Sequence, residues 1–150
     1  MVCLSVFFSM PTQIKISKFN AVIVLLTAMM LLFISWAIYS ANIGQQTLFT
    51  ELVRALPYGD KIGHFVLFGT LSLLLNLSLS MRVFRPLKCY WGTLLVAVFV
   101  VVEEGSQALI PSRTFDLADL LADAGGLACA AILTYFIDHR LKKRAIAQTY

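Results

Sequence analysis

The sequence predicts an all-α integral membrane protein with four transmembrane helices and both termini in the cytoplasm. Three observations carry that prediction. Of 150 residues, 59% are hydrophobic and 13% charged, against about 45–50% and about 25% in soluble domains. The apolar residues gather into four stretches of roughly twenty, the length at which a helix rising about 1.5 Å per residue crosses a hydrocarbon core of about 30 Å. The basic residues between and beyond those stretches are unequally shared between the two sides, which sets a direction. A single membrane domain over 1–150 is expected, because four spans leave too little chain for a second compact unit.

The elements follow in order. The run Met1 to Met10 is too short to span and ends at Pro11; it reads as an interfacial tail, or as an upstream extension if Met10 is the start. Asn20 to Tyr39 carries no formal charge, follows Lys15 and Lys18, and closes on Trp36 and Tyr39, aromatics suited to the membrane interface. Its length and the lack of a small-residue cleavage site mark a retained anchor. In the connection from Ala41 to Gly59, Leu48, Phe49, Leu52, Val53 and Leu56 recur at three- and four-residue steps. That spacing predicts a short amphipathic helix along the interface, ended by Pro57. A second span is expected over Ile62 to Ser80. A third runs from Tyr90 to Ile110, stopping at Pro111, and a fourth from Leu117 to Ile137.

Counting Lys and Arg orients the chain. Nine lie before span one, between spans two and three, and after span four; three (Arg54, Lys61, Arg113) lie on the opposite side. The positive-inside rule places the nine in the cytoplasm. The formal net charge of +4 then divides into +8 on the cytoplasmic side and −4 on the outer side and outer membrane half. Arg140, Lys142, Lys143 and Arg144, adjoining a span, read as topological anchors against anionic lipid, and no nucleic-acid partner is expected. Cys3, Cys89 and Cys129 are widely separated, without C-x-x-C spacing or metal-type pairing with His64 or His139. Neither a disulfide framework nor a cysteine zinc site is supported.

Ionisable groups inside spans are costly, about +2.5 to +3.5 kcal/mol for Asp at a helix centre, so their grouping is informative. Glu104 falls about six residues before the outer end of span three and Asp123 about six into span four, each roughly 9 Å deep; His64 enters near the start of span two. Gln107 stands three positions after Glu104 and four after Glu103. Asp116, Asp119 and Asp123 form one helical stripe, and Asp60 and His64 share a face. Glu104, Asp123 and His64 are candidate catalytic residues; Asp60, Lys61, Gln107, Arg113, Asp116 and Asp119 are candidate binding residues. Lys61 and Arg113 either hold an anionic group or pair with neighbouring Asp residues. Asp116 and Asp119, at a helix start, also suit capping and the helix dipole. His64 reads as a proton shuttle, or as a metal ligand with Glu104 and Asp123; no metal or cofactor is assigned. Ala122, Gly126 and Ala130, at four-residue steps, read as a close-packing stripe.

Asp60-Lys61-Ile62-Gly63-His64-Phe65 resembles the D-K-x-x-H-F element of VanZ-like membrane proteins. Glu104-Gly105-Ser106-Gln107, Pro111, Arg113, Asp116 and Asp119 resemble that family's E-x-x-Q, P-x-R and D-x-x-D elements in the same order, followed by Gly125 and Gly126. The resemblance is strongest over 57–130. Asp123 stands where members more often carry Asn, and Glu103 is an addition to the pattern. The resemblance implies a small polytopic protein of the bacterial cell envelope, multi-pass in the cytoplasmic (inner) membrane, whose namesake is associated with low-level resistance to the glycopeptide teicoplanin. It implies no particular reaction.

Two hypotheses follow. In one, the protein recognises or modifies an envelope lipid, or its phosphate-bearing headgroup, at the outer leaflet, with Glu104 or Asp123 as general base, His64 as its partner, and Lys61 and Arg113 on the anion. In the other it is a non-catalytic binding or assembly protein, or a small proton-coupled transporter. A transporter normally shows an internal repeat and a site at the midplane, and neither is evident.

Overall fold

The computed structural model describes residues 18–111 and 113–148. The Met1–Met10 run, with Cys3 and Lys15, lies outside them. Helix α1 covers Lys18–Asn42, α2 Leu48–Ala55 and α3 Gly59–Ser78; a two-stranded hairpin pairs β1 (Val83–Phe84) with β2 (Cys89–Tyr90); α4 covers Trp91–Gln107 and α5 Leu117–Ala147. Three helices are long and apolar enough to cross a membrane: Asn20–Asn42, Gly59–Ser78 and Leu117–Ala147. With 17 residues, α4 is shorter, about 26 Å at 1.5 Å per residue.

The polarity of the bundle is inverted relative to a soluble protein. Leu25 and Leu32 on α1, Val98, Val101 and Val102 on α4, and Ile132, Leu133 and Phe136 on α5 face outward, while Ser72, Asn76, Glu104, Gln107, Asp123 and Thr134 are buried. Water penalises a continuous apolar surface of this kind, whereas lipid solvates it and penalises exposed polar groups. Inside, Ile34, Phe68, Leu71, Val96, Val100 and Leu127 form one apolar cluster.

The hub is α3, which packs against α1, α2, α4 and α5. Its crossing with α5 is backbone on backbone: a Cβ on Gly126 would sit 2.3 Å from the Phe65 carbonyl oxygen, and one on Gly69 would sit 3.0 Å from that of Gly126. Small residues allow such approach, the main source of helix affinity where lipid removes the hydrophobic driving force. Gly126 and Ala130 are buried as the small-residue stripe predicts. Deeper along α3, the Asn76 amide donates to Thr93 Oγ1 (2.9 Å) and Thr134 Oγ1 (3.1 Å) and accepts from the Thr93 N–H (2.9 Å). One side chain thus ties α3 to α4 and α5.

The short helix between the first two long ones is present. Thr47 and Thr50 cap α2 reciprocally: the Thr50 N–H donates to Thr47 Oγ1 and the Thr47 N–H to Thr50 Oγ1. Leu48 and Leu52, one turn apart, are exposed, giving α2 an outward apolar edge. The first two long helices are offset by two or three residues at their ends, Lys18–Asn42 against the expected Asn20 to Tyr39 and Gly59–Ser78 against Ile62 to Ser80, and three further regions differ from expectation. The basic loop is a hairpin, closed by Phe84 and Trp91 with ring centroids 4.6 Å apart. The third stretch ends at Gln107 instead of Ile110; Ile110, directly before Pro111, is the residue that helical geometry disfavours, and the helix closes before it. The fourth continues through the basic segment to Ala147, because nothing there breaks a helix and Lys142 pairs with Asp138 one turn back at 2.6 Å.

Candidate functional site

Three helix ends build the site. The first two turns of α3 supply Asp60, Lys61 and His64; the last two of α4 supply Glu103, Glu104 and Gln107; the start of α5 supplies Asp116, Asp119 and Asp123, with Arg113 in the loop before it. The Gly69–Gly126 contact holds α3 and α5 close enough for their polar faces to meet. All nine residues singled out in the sequence fall into this one region.

At its rim the Lys61 ammonium lies 2.7 Å from Asp60, 2.5 Å from Asp116 and 2.8 Å from Asp119. Asp116 also caps α5, accepting from the Ala118 N–H at 2.8 Å. Both readings of Asp116, cap and ion-pair partner, hold together. The Lys61 ammonium and then that N–H keep its carboxyl below the usual carboxylate range. Lys61 donates hydrogen bonds to Asp60 and Asp116 and makes an ion pair with Asp119, so its single charge is already surrounded by three carboxylates.

Deeper, His64 Nδ1 lies 3.2 Å from both oxygens of Asp123 and 3.8 Å from Glu104 Oε1. Asp123 and Glu104 are each 1% exposed. The Gln107 amide donates to Glu103 Oε2 and Glu104 Oε1, both at 2.9 Å, using its two donors to hold two carboxylates side by side. The other oxygen of Glu104, Oε2, is buried without a hydrogen-bond partner among the described residues. Glu103 Oε1 lies 3.7 Å from Arg113 Nη2.

A cavity of about 230 Å³ opens against this cluster. Ile34, Ala37, Ile38, Leu67 and Phe68 give it an apolar wall, and Asp60, His64, Glu103 and Arg113 a polar end. A second cavity of about 320 Å³, lined by Gly44, Gln45, Gln46 and Thr114, shares Ala41, Thr50 and Arg113 with the first. Arg113 therefore faces both. Lys61, Asp116, Asp119, Asp123, Glu104 and Gln107 do not line the first cavity; they contact the lining residues Asp60, His64 and Glu103 directly or through one another.

Sequence reasoning set Glu103 aside as an addition, yet it joins Gln107 to Arg113 and borders the cavity; its four-residue spacing to Gln107 was the available signal. The contribution of α1 and α2 was also missed. Ala37 and Ala41, four apart on α1, form a face small enough to leave space, a pattern without chemical character of its own.

A family model described as VanZ/LLP1 matches residues 1–138. No curated protein and no solved structure matches the chain. The family match covers most of the chain and agrees with the motif resemblance over 57–130: the protein belongs to the VanZ/LLP1 family.

Proposed function

We propose, with VanZ/LLP1 membership as the premise, that this protein recognises an anionic envelope lipid from the outer leaflet of the bacterial cytoplasmic membrane. The observation that carries the reading is the cavity beside His64 and Arg113, apolar along α1 and α3 and polar at one end. That division matches a lipid, with hydrocarbon along Ile34, Ile38 and Leu67 and the headgroup at Arg113. Arg113 has five donors and, among the described residues, one distant carboxylate partner, so it keeps capacity for a phosphate, whereas Lys61 is already surrounded by three carboxylates.

In this reading α4 is a fourth span. Its outward Val98, Val101 and Val102 need lipid as much as those of α1 and α5 do. The nine-to-three distribution of Lys and Arg supports cytoplasmic termini and an outward site. Where the bound lipid is also modified, His64 is the group bordering the cavity that can take a proton, with buried Asp123 orienting its ring and Glu104 beside it. The non-catalytic alternative, an assembly or binding protein, is favoured by the ion pairs already satisfied within the rim, which fasten α3 to α5 without any ligand.

The test is lipid exchange. Purified protein is incubated with mixed vesicles of phosphatidylglycerol and phosphatidylcholine, and bound lipid is identified after delipidation and recapture. Wild type is expected to retain the anionic lipid, and Arg113→Ala to lose about tenfold in retention, the scale of a charged hydrogen bond of about 1.5 kcal/mol. Equal recovery of both lipids by wild type, or no change in Arg113→Ala, overturns the reading. In cells, a deletion strain expressing Glu104→Gln, Asp123→Asn or His64→Ala is expected to show the deletion's lipid profile although each variant inserts.

A further inference from the structure

Six carboxylates converge here, from Asp60, Glu103, Glu104, Asp116, Asp119 and Asp123, against two permanent cations, Lys61 and Arg113. The cations are placed unevenly. Lys61 sits among Asp60, Asp116 and Asp119 at 2.5–2.8 Å, occupying the centre of that acidic group as a metal ion would. A second group, His64, Glu104 and Asp119, brings one ligand atom from each residue within 4.8 Å of the others. No Lys or Arg approaches His64 or Glu104 among the described ion pairs. The unbalanced charge is concentrated there, in surroundings where an unpaired buried charge is costly.

The second observation is Glu104 itself. It is 1% exposed, and Gln107 holds its Oε1 while Oε2 has no hydrogen-bond partner among the described residues. Ionised, Oε2 is an unpaired buried acceptor; protonated, it is a buried donor without an acceptor. Neither state satisfies it, whereas a cation does. The residues around it have the form of an outer ligand shell. Asp123 lies 3.2 Å from His64 Nδ1, the place of the carboxylate partner that metal-bound imidazoles usually have, which leaves Nε2 as the nitrogen free to bind an ion, and Gln107 fixes Glu104.

We infer that His64, Glu104 and Asp119 form a binding site for a divalent first-row transition ion of the zinc or manganese type. One imidazole with carboxylate oxygens is too hard a donor set for copper(I) and is less suited to magnesium, which prefers oxygen alone and keeps its waters. Asp119 reaches both groups and so links the ion to the Lys61 rim. The ion also favours the lipid reading, since an anionic headgroup entering beside six carboxylates gains from positive charge in addition to that of Arg113. The site stands on the side-chain cluster and does not depend on the lipid.

Untagged full-length protein in detergent, stripped with a chelator, is titrated calorimetrically with Zn²⁺ and with Mn²⁺, and the Mn²⁺ sample is examined by pulsed electron paramagnetic resonance. One ion per chain is expected, with nitrogen modulation from a single imidazole. Glu104→Gln and His64→Ala each lower affinity by at least about tenfold, Asp123→Asn by about 10–100-fold as an outer-shell change, and Asp138→Asn has no effect. The resonance measurement uses wild type alone, so it decides the question even where a variant misfolds. Absence of stoichiometric binding of both ions, absence of nitrogen modulation, or undiminished binding in a folded Glu104→Gln protein overturns the inference. Phosphatidylglycerol retention is measured in parallel with stripped and ion-loaded protein: ion binding without lipid retention in either form overturns the lipid reading alone, and lipid retention without ion binding overturns the ion site alone.

Discussion

Gly126→Ala tests how the site is held together. A Cβ there meets the Phe65 carbonyl oxygen at 2.3 Å, whereas ordinary contact begins near 3.4 Å. The Cβ is fixed rigidly to one helix backbone and the oxygen belongs to the other, so neither can turn aside, and the helices must separate by about 1 Å, an overpacking strain of about 1–3 kcal/mol. That displacement falls on α3 and α5 about one turn from the His64–Asp123 contact, and 3.2 Å lengthened by this amount is no longer a hydrogen bond. Gly105→Ala is the matched control. Its Cβ meets nothing within 4 Å, and loss of a glycine from a helix interior stabilises by about 0.5–1 kcal/mol. Unfolding titrations in mixed dodecyl sulfate and maltoside micelles, followed by circular dichroism, are expected to place Gly126→Ala below wild type and Gly105→Ala at or above it. A Gly126→Ala protein as stable as wild type refutes the backbone contact and the placement of the site built on it.

The rim and the orientation give two more expectations. Asp116 has a lowered folded-state pKa, so its contribution to stability is present above the unfolded carboxylate value and is lost as pH falls through the folded one. Asp116→Asn keeps a helix cap but removes the charge; unfolding titrations between pH 7 and pH 3 are expected to show a shallower acid loss than wild type, and an unchanged slope contradicts the Lys61–Asp116 pairing. For orientation, single cysteines at Thr114 and Leu87 in a cysteine-free background are probed with an impermeant maleimide on intact spheroplasts. Labelling at 114 and protection at 87 is expected, and the reverse pattern turns the site toward the cytoplasm.

The bundle was legible because the bilayer imposes it: residues that must not meet lipid, such as Glu104 and Asp123, are visible as charges in apolar runs, and helical periodicity assigns them to faces. The meeting of α3, α4 and α5 at one level followed from depth alone. Finer detail was not legible for physical reasons. Whether Lys61 binds ligand or neighbours depends on distances between α3 and α5, and these are set by Gly69 and Gly126, residues without chemistry of their own. The hairpin after α3 rests on two short strands and a ring contact between Phe84 and Trp91, too little sequence for an alternating pattern to register. The cavity is space left by Ala37 and Ala41 beside α2, and absence of side-chain volume gives no periodic signal.

The separation of Lys61 from Arg113 has a consequence for ligand binding. Lys61 is committed to three aspartates, while Arg113 shares a 3.7 Å contact with Glu103 and borders both cavities. An anion taking Arg113 releases Glu103, which remains held by Gln107 beside Glu104. The group around Glu104 then carries more uncompensated negative charge, and its affinity for a cation rises. Conversely, a cation bound at His64, Glu104 and Asp119 lowers the cost of bringing an anion to Arg113. Linkage requires the two factors to be equal, and couplings of this kind range from about 5- to 150-fold. Phosphatidylglycerol retention is therefore expected to strengthen on adding Zn²⁺, and Zn²⁺ affinity to strengthen by the same factor when that lipid replaces phosphatidylcholine. Glu103→Gln removes the relayed charge, so in this variant the two affinities are expected to become independent while each ligand still binds. Coupling that persists undiminished in Glu103→Gln refutes the relay through Gln107.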